Sequence, residues 1–209
     1  MPPFLTLFVL SLSLVSASPV AVPRAAGDTR NDLTNASGCK AMTVIFARGT
    51  TETGNVGTLT GPPFFNALDS AMGAGQVAVQ GVEYPADIPG FLAGGDKTGS
   101  AKMAQLVTQT LAKCPDTKIV MSGYSQGGQL VHNAADMLGA SASKVSAAII
   151  FGDPDNGKAV GSVGAAKTKV FCNATDNICQ GGATILAAHL VYSRDAGDAA
   201  AFAKTATGL

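Results

Sequence analysis

Five short runs of β-branched and other apolar residues recur along the chain, separated by segments whose apolar residues return at helical spacing. The runs are MTVIFA (Met42 to Ala47), VAVQGV (Val77 to Val82), IVMSGY (Ile119 to Tyr124), AAIIFGD (Ala147 to Asp153) and TKVFCN (Thr168 to Asn173). None alternates cleanly between apolar and polar residues, as expected of strands covered on both faces. PPFFNALDSAM lies between the first two runs, and its prolines suit a helix start. GSAKMAQLVTQTLAKC places Met103, Leu106, Val107 and Leu111 on one helical stripe, and GGQLVHNAADML does the same with Leu130, Val131, Ala134, Ala135 and Leu138. AGDAAAFAKTA closes the series. Strand and helix alternate throughout, which predicts an α/β fold with a largely parallel sheet.

The 209 residues, 46% of them apolar and with a formal net charge of zero, suffice for one domain with a sizeable core. That balance argues against a nucleic-acid-binding protein, which needs a basic surface. The first residues stand apart. Phe4 to Val15 is a short apolar run followed by Ser16, Ala17 and Ser18, which reads as a signal peptide over residues 1–17 and is too short for a membrane span. The Pro-, Ala- and Gly-containing stretch that follows has no periodicity. It reads as a propeptide or loose N-terminal arm over 18–38, leaving 39–209 as the folded domain.

Four cysteines, Cys39, Cys114, Cys172 and Cys179, form an even count in a chain read as secreted, which implies two disulfides with three possible connectivities. Cys172 and Cys179 close a small loop with ease, leaving Cys39 to tie the arm to Cys114. No pair has CxxC spacing and the chain holds only two histidines, so no metal site is expected. Two glycosylation sequons are present, at Asn35 and at Asn173.

The third strand runs into Gly123-Tyr124-Ser125-Gln126-Gly127 and then into a helix. Gly-x-Ser-x-Gly between strand and helix is the pattern of a nucleophile elbow, a strained turn in which side chains two positions from the serine would clash. The serine oxygen then stands above a helix N-terminus, whose dipole favours developing negative charge, and the N–H of Gln126 is placed to donate to an oxyanion.

A serine hydroxyl needs a base. His132 lies seven residues past Ser125 within the predicted helix, about 10 Å along its axis, and reads as a polar residue on the helix face or surface. His189, between the last strand and the last helix, is free to reach the serine by a loop. The orienting acid falls between nucleophile and histidine in chain order in this architecture. Asp176 sits in CNATDNIC, pinned by the expected Cys172–Cys179 bridge, with Asp153 in reserve; Asp153 and Asp155 also suit plain turn chemistry. The loop ARGTTETGN after the first strand offers Thr50 as the second oxyanion donor.

TRNDLTNASGC, IFARGTTETGN, CPDTKIVMSGYSQGG, KVFCNATDNIC and AAHLVY, in this order, resemble the blocks of the fungal cutinase family. The resemblance implies a lidless α/β-hydrolase with a five-stranded, mainly parallel sheet and disulfides Cys39–Cys114 and Cys172–Cys179. It implies a Ser125, Asp176 and His189 triad, and an oxyanion hole at Thr50 and Gln126. The expected acyl groove lies between Tyr84 to Gly95 and Gly182 to Leu190, with Ile88, Phe91, Leu92, Ile185, Leu186 and Leu190 as candidate lining. The implied activity is that of a secreted, monomeric serine esterase. Its substrates would be cutin or another polyester surface and short- to medium-chain fatty acid esters, with no cofactor and no nucleic-acid partner. The segment after Tyr84 departs from the family pattern, so no polar residue is identified to steady the Thr50 hydroxyl. FGDP resembles the related acetylxylan esterases and keeps carbohydrate deacetylation as the alternative. An alternative of another class is a non-catalytic secreted protein that binds surfaces.

Overall fold

The computed structural model describes residues 27–35 and 38–209. The proposed signal peptide and the first part of the arm lie outside these residues. Five parallel strands, β1 (Met42–Ala47), β2 (Val77–Gly81), β3 (Lys118–Tyr124), β4 (Ala147–Phe151) and β5 (Thr168–Phe171), form one sheet. Their order is β2-β1-β3-β4-β5. Helices α1 (Gly61–Met72), α3 (Lys97–Lys113), α4 (Gln126–Leu138) and α5 (Ala196–Thr207) are the expected ones. A short helix α2 (Ile88–Leu92), capped by the Asp87 carboxylate accepting from Gly90 N, was not foreseen in its Pro- and Gly-rich segment.

The absence of alternation in the strands has the expected cause. Ile45 and Ala47 face a core shared with Met103, Leu106 and Val107 of α3 and Leu130, Val131 and Ala134 of α4. Val44 and Phe46, one residue out of phase, face Phe64, Phe65 and Leu68 of α1 and Ala199, Ala200 and Ala203 of α5. Every residue of β1, β2 and β4 is buried. Apolar residues are therefore favoured whichever face they point to, and the buried polar exceptions, Thr43 and Gln80, are hydrogen-bonded. β5, at the edge, is only partly buried.

The arm differs from the sequence reading. From Asp28 to Leu33 it is packed rather than loose. Asn31 bridges Gln80 on β2 in antiparallel fashion, the Asp32 carboxylate accepts from Val79 N at 2.9 Å, and Leu33 is buried in the α3/α4 core. The backbone carbonyl of Asp28 accepts from Asn55 N and Val56 N, both at 2.9 Å. The arm covers the exposed edge of β2, which explains its position despite its lack of periodicity. Both disulfides join as expected, Cys39 to Cys114 and Cys172 to Cys179.

Winding reverses between β1 and β3, which are direct neighbours with Ala47 opposite Gly123. Loops leaving the carboxyl ends of such a pair diverge to opposite faces and leave a crevice. The loop after β1 and the turn after β3 both end there.

Candidate active site

At the end of β3 the backbone turns sharply. Ser125 has φ 56° and ψ −122°, a positive φ that a non-glycine residue adopts only under strain. The flanking glycines make the turn possible: a Cβ on Gly123 would lie 2.2 Å from Gly127 O, and one on Gly127 would lie 2.1 Å from Ala47 O. Ser125 N donates to Phe151 O at 2.9 Å, so β4 holds the turn from the side. Ser125 directly precedes α4. Gln126, first in that helix, carries one of the N–H groups that have no intrahelical acceptor.

His189 and Asp176 come from the loops after β5. His189 Nδ1 and Asp176 Oδ2 are 2.8 Å apart, both residues buried. Asp176 Oδ1 accepts from Ile178 N at 3.0 Å, inside the loop closed by the Cys172–Cys179 bridge. The histidine loop is held as firmly: Asn173 Nδ2 donates to Ala188 O at 2.7 Å, and the Tyr124 hydroxyl to His189 O at 2.9 Å. The Tyr124 ring stacks on the imidazole, centroids 5.1 Å apart. Among the described residues His189 Nε2 has no hydrogen-bond partner, and His189 lines one cleft together with Ser125. The amide of Asn173, the second sequon position, is thus committed to holding this loop.

The loop after β1 is folded on Glu52. Its carboxylate accepts from Gly49 N at 2.8 Å through one oxygen and from Thr58 N and Leu59 N at 2.9 Å through the other. Arg48 Nε donates to the Glu52 carbonyl at 2.7 Å. Thr50 stands on this loop beside Ser125. Gln126 Nε2 lies 2.9 Å from Thr50 Oγ1 and 2.8 Å from the carbonyl of Asp87. A carbonyl only accepts, so the nitrogen is the donor to both, and Thr50 Oγ1 keeps its own hydrogen for another acceptor. The Gln126 side chain is the polar group steadying Thr50 that was missing from the sequence reading.

The cleft, about 600 Å³, is lined by Ile88, Phe91, Leu92, Ile185 and Leu190, with Ser125 and His189 among its walls. Leu186, expected beside them, is exposed without lining the cleft. Leu59 supplies a wall not foreseen, from the segment that Glu52 folds back. Asp153, the reserve acid, does not approach His189. Its Oδ2 meets His132 Nε2 at 2.9 Å, and His132 is buried rather than on the surface. Tyr192 and Glu52 had no assigned role; the only trace of them in the sequence is their place inside AAHLVY and RGTTETGN.

A family model described as Cutinase matches residues 38–207. The chain is 56% identical over 202 residues to a cutinase of Botryotinia fuckeliana, with 96% of each chain covered. It is similar to the solved structure of Trichoderma reesei cutinase in complex with a C11Y4 phosphonate inhibitor, at 48% identity and a TM-score of 0.81 over 87% of this chain and 81% of that one. A more distant likeness is to a solved acetylxylan esterase, at 26% identity and a TM-score of 0.64, over 82% of this chain and 100% of the other.

Proposed function

The chain belongs to the cutinase family and is a carboxylic ester hydrolase, and from that premise we propose that Ser125, His189 and Asp176 are its catalytic triad. The observation that carries the reading is the cleft itself, which a serine on a strained elbow and an Asp-bound histidine with one unpartnered nitrogen line together between apolar walls.

Ser125 Oγ attacks the ester carbonyl carbon while His189 Nε2 takes its proton; the Asp176 carboxylate stays ionised and stabilises the imidazolium. The carbonyl oxygen, now an alkoxide, is held by Gln126 N–H together with the N–H and O–H of Thr50. The Gln126 amide supports this role, because it occupies the Thr50 lone pair and leaves the hydroxyl hydrogen to point at the oxyanion. His189 returns its proton to the departing alcohol. A water molecule, deprotonated by the same nitrogen, then attacks the acyl-enzyme and releases the acid and Ser125. Every step is a proton transfer or an acyl transfer.

The acyl chain lies along Ile88, Phe91, Leu92, Ile185 and Leu190. Of these, Leu92 is 68% and Ile88 58% exposed. Such apolar rims on a soluble protein fit a substrate that is itself an apolar surface. We therefore read the substrates as cutin and fatty acid esters of short to medium chain. The enzyme is read as a secreted monomer with a cleaved signal over residues 1–17. Two formed disulfides support an oxidising compartment, and no described helix is long and apolar enough to cross a membrane.

The test is hydrolysis of cutin beside acetylated xylan by wild type and Ser125→Ala, with released acids quantified. Hydroxy fatty acids released by the wild type alone are expected. Acetate alone would move the protein to carbohydrate deacetylation, and equal turnover by both proteins would remove Ser125 from the chemistry.

A further inference from the structure

The Asp176 oxygen that holds His189 is shared. Oδ2 faces His189 Nδ1 at 2.8 Å and also accepts from the Tyr192 hydroxyl at 2.6 Å. That hydroxyl accepts in turn from Asn173 N at 3.0 Å. A backbone N–H only donates, so the phenol's hydrogen remains for the carboxylate. Cys179 Sγ lies 3.5 Å from the hydroxyl but is in a disulfide and has no hydrogen to give. Tyr192 is buried at the triad's back wall, edge-on to the His189 ring with centroids 6.1 Å apart. Gly152, at φ 59°, passes so close that a Cβ there would lie 2.8 Å from both rings. Neither ring has room to turn away.

We infer that Tyr192 is a positioning residue of the triad: by donating to the Asp176 oxygen that holds His189, its hydroxyl fixes that oxygen and draws charge from it, and so tunes how strongly the carboxylate holds the imidazole. The inference rests on the triad reading above. A carboxylate oxygen with two donors pulls less strongly on each of them. Without the phenol, Asp176 would stabilise the imidazolium more. The other groups near the site do not replace Tyr192 as donor. Asp195, on the turn after it, is acidic, as is Glu52, which faces Tyr124 from the β1 loop. Tyr124 itself donates to the His189 carbonyl. Ile178 N donates to Oδ1 instead. Burial first, and then the bond to Asp176, push the Tyr192 phenol well above its ordinary range, so it keeps its proton wherever the enzyme works.

The test compares wild type with Tyr192→Phe on p-nitrophenyl butyrate, with kcat and KM measured across the pH range. Hydrogen bonds to charged groups are strong enough to move the acid limb of kcat/KM upward by about half to one pH unit. KM is expected to hold, while kcat falls several-fold at pH 6 and recovers at alkaline pH. Replacing Tyr192 site-specifically by 3-fluorotyrosine, a stronger donor of the same shape, is expected to move the limb downward, and it keeps the test open should Tyr192→Phe fold poorly. An acid limb unmoved in both would overturn the inference and leave Tyr192 as packing. Ser125→Ala and His189→Asn are assayed alongside. Full activity in those would sink the triad reading itself, whereas their inactivity with an unmoved limb would sink only the role of Tyr192.

Discussion

This molecule holds two buried histidine–aspartate pairs, and of the two histidines His189 alone lines the cleft. His189 Nδ1 meets Asp176 at 2.8 Å, and His132 Nε2 meets Asp153 at 2.9 Å. Both carboxylates are fully buried. The difference lies at the other ring nitrogen. That of His132 is 3.2 Å from the carbonyl of Ala159, so the ring has acceptors on both sides and is best satisfied carrying both protons. That of His189 has no partner among the described residues, and its ring lines the cleft that Ser125 also lines. A histidine–aspartate pair at hydrogen-bond distance is therefore not a signature of catalysis. What sets the proposed catalytic pair apart is a ring nitrogen left without a partner, in a residue that lines the cleft with Ser125.

The first way to break this contrast is to remove each ring in turn. His189→Asn is expected to lose at least about 10⁴-fold in kcat on a soluble ester, with its melting temperature little changed. His132→Asn is expected to keep activity within a few-fold. Comparable losses in the two variants would erase the distinction.

Stability should show the reverse order. Asp153→Asn leaves His132 without its counter-charge in the interior and is expected to cost about 3 kcal/mol, readable as a drop of about 6–12 °C in Tm. Asp176→Asn should melt within a few degrees of wild type while losing about 10⁴-fold in kcat, because the amide favours the wrong tautomer of His189. A large Tm loss in Asp176→Asn with intact activity would invert the assignment.

The smallest effect is in pH. Burial by itself would lower the pKa of His132, but the hydrogen bond and charge of Asp153, helped by the carbonyl of Ala159, outweigh it and raise the value above its ordinary 6.5. The folded state then binds the proton more tightly than the unfolded state does. The resulting stabilisation is complete below pH 6.5 and fades as pH rises through the raised folded value. Chemical denaturation at pH 6 and at pH 9 should accordingly show the gap between wild type and His132→Gln narrowing at the higher pH. A gap that widens would mean the pair is held neutral.

The frame was legible in the sequence, and so were the candidates for the proposed triad, because both depend on short stretches. Unbroken apolar runs mark strands covered on both sides, and Gly123 and Gly127 around Ser125 mark a turn in which larger residues would collide with backbone. Chain order and the scarcity of histidine then pointed to His189 and Asp176. Partners chosen across the fold left no such mark. Asp153 reaches back to a helix 21 residues earlier. Tyr192, spaced like any core aromatic, turns its hydroxyl to Asp176 from a ring packed among Phe151, Tyr124 and Gly152. The N-terminal arm, without periodicity, is ordered by the edge of β2, and Leu59 becomes a cleft wall because a carboxylate at Glu52 gathers the backbone around it. Local sterics and hydrophobic burial act on neighbours in the chain, so the sequence alone determined the five strands, the four longer helices, their order and the serine's strained turn. Hydrogen bonds between buried polar groups form with whatever the packed layers bring within about 3 Å. Which histidine kept a free nitrogen was decided only by the tertiary structure.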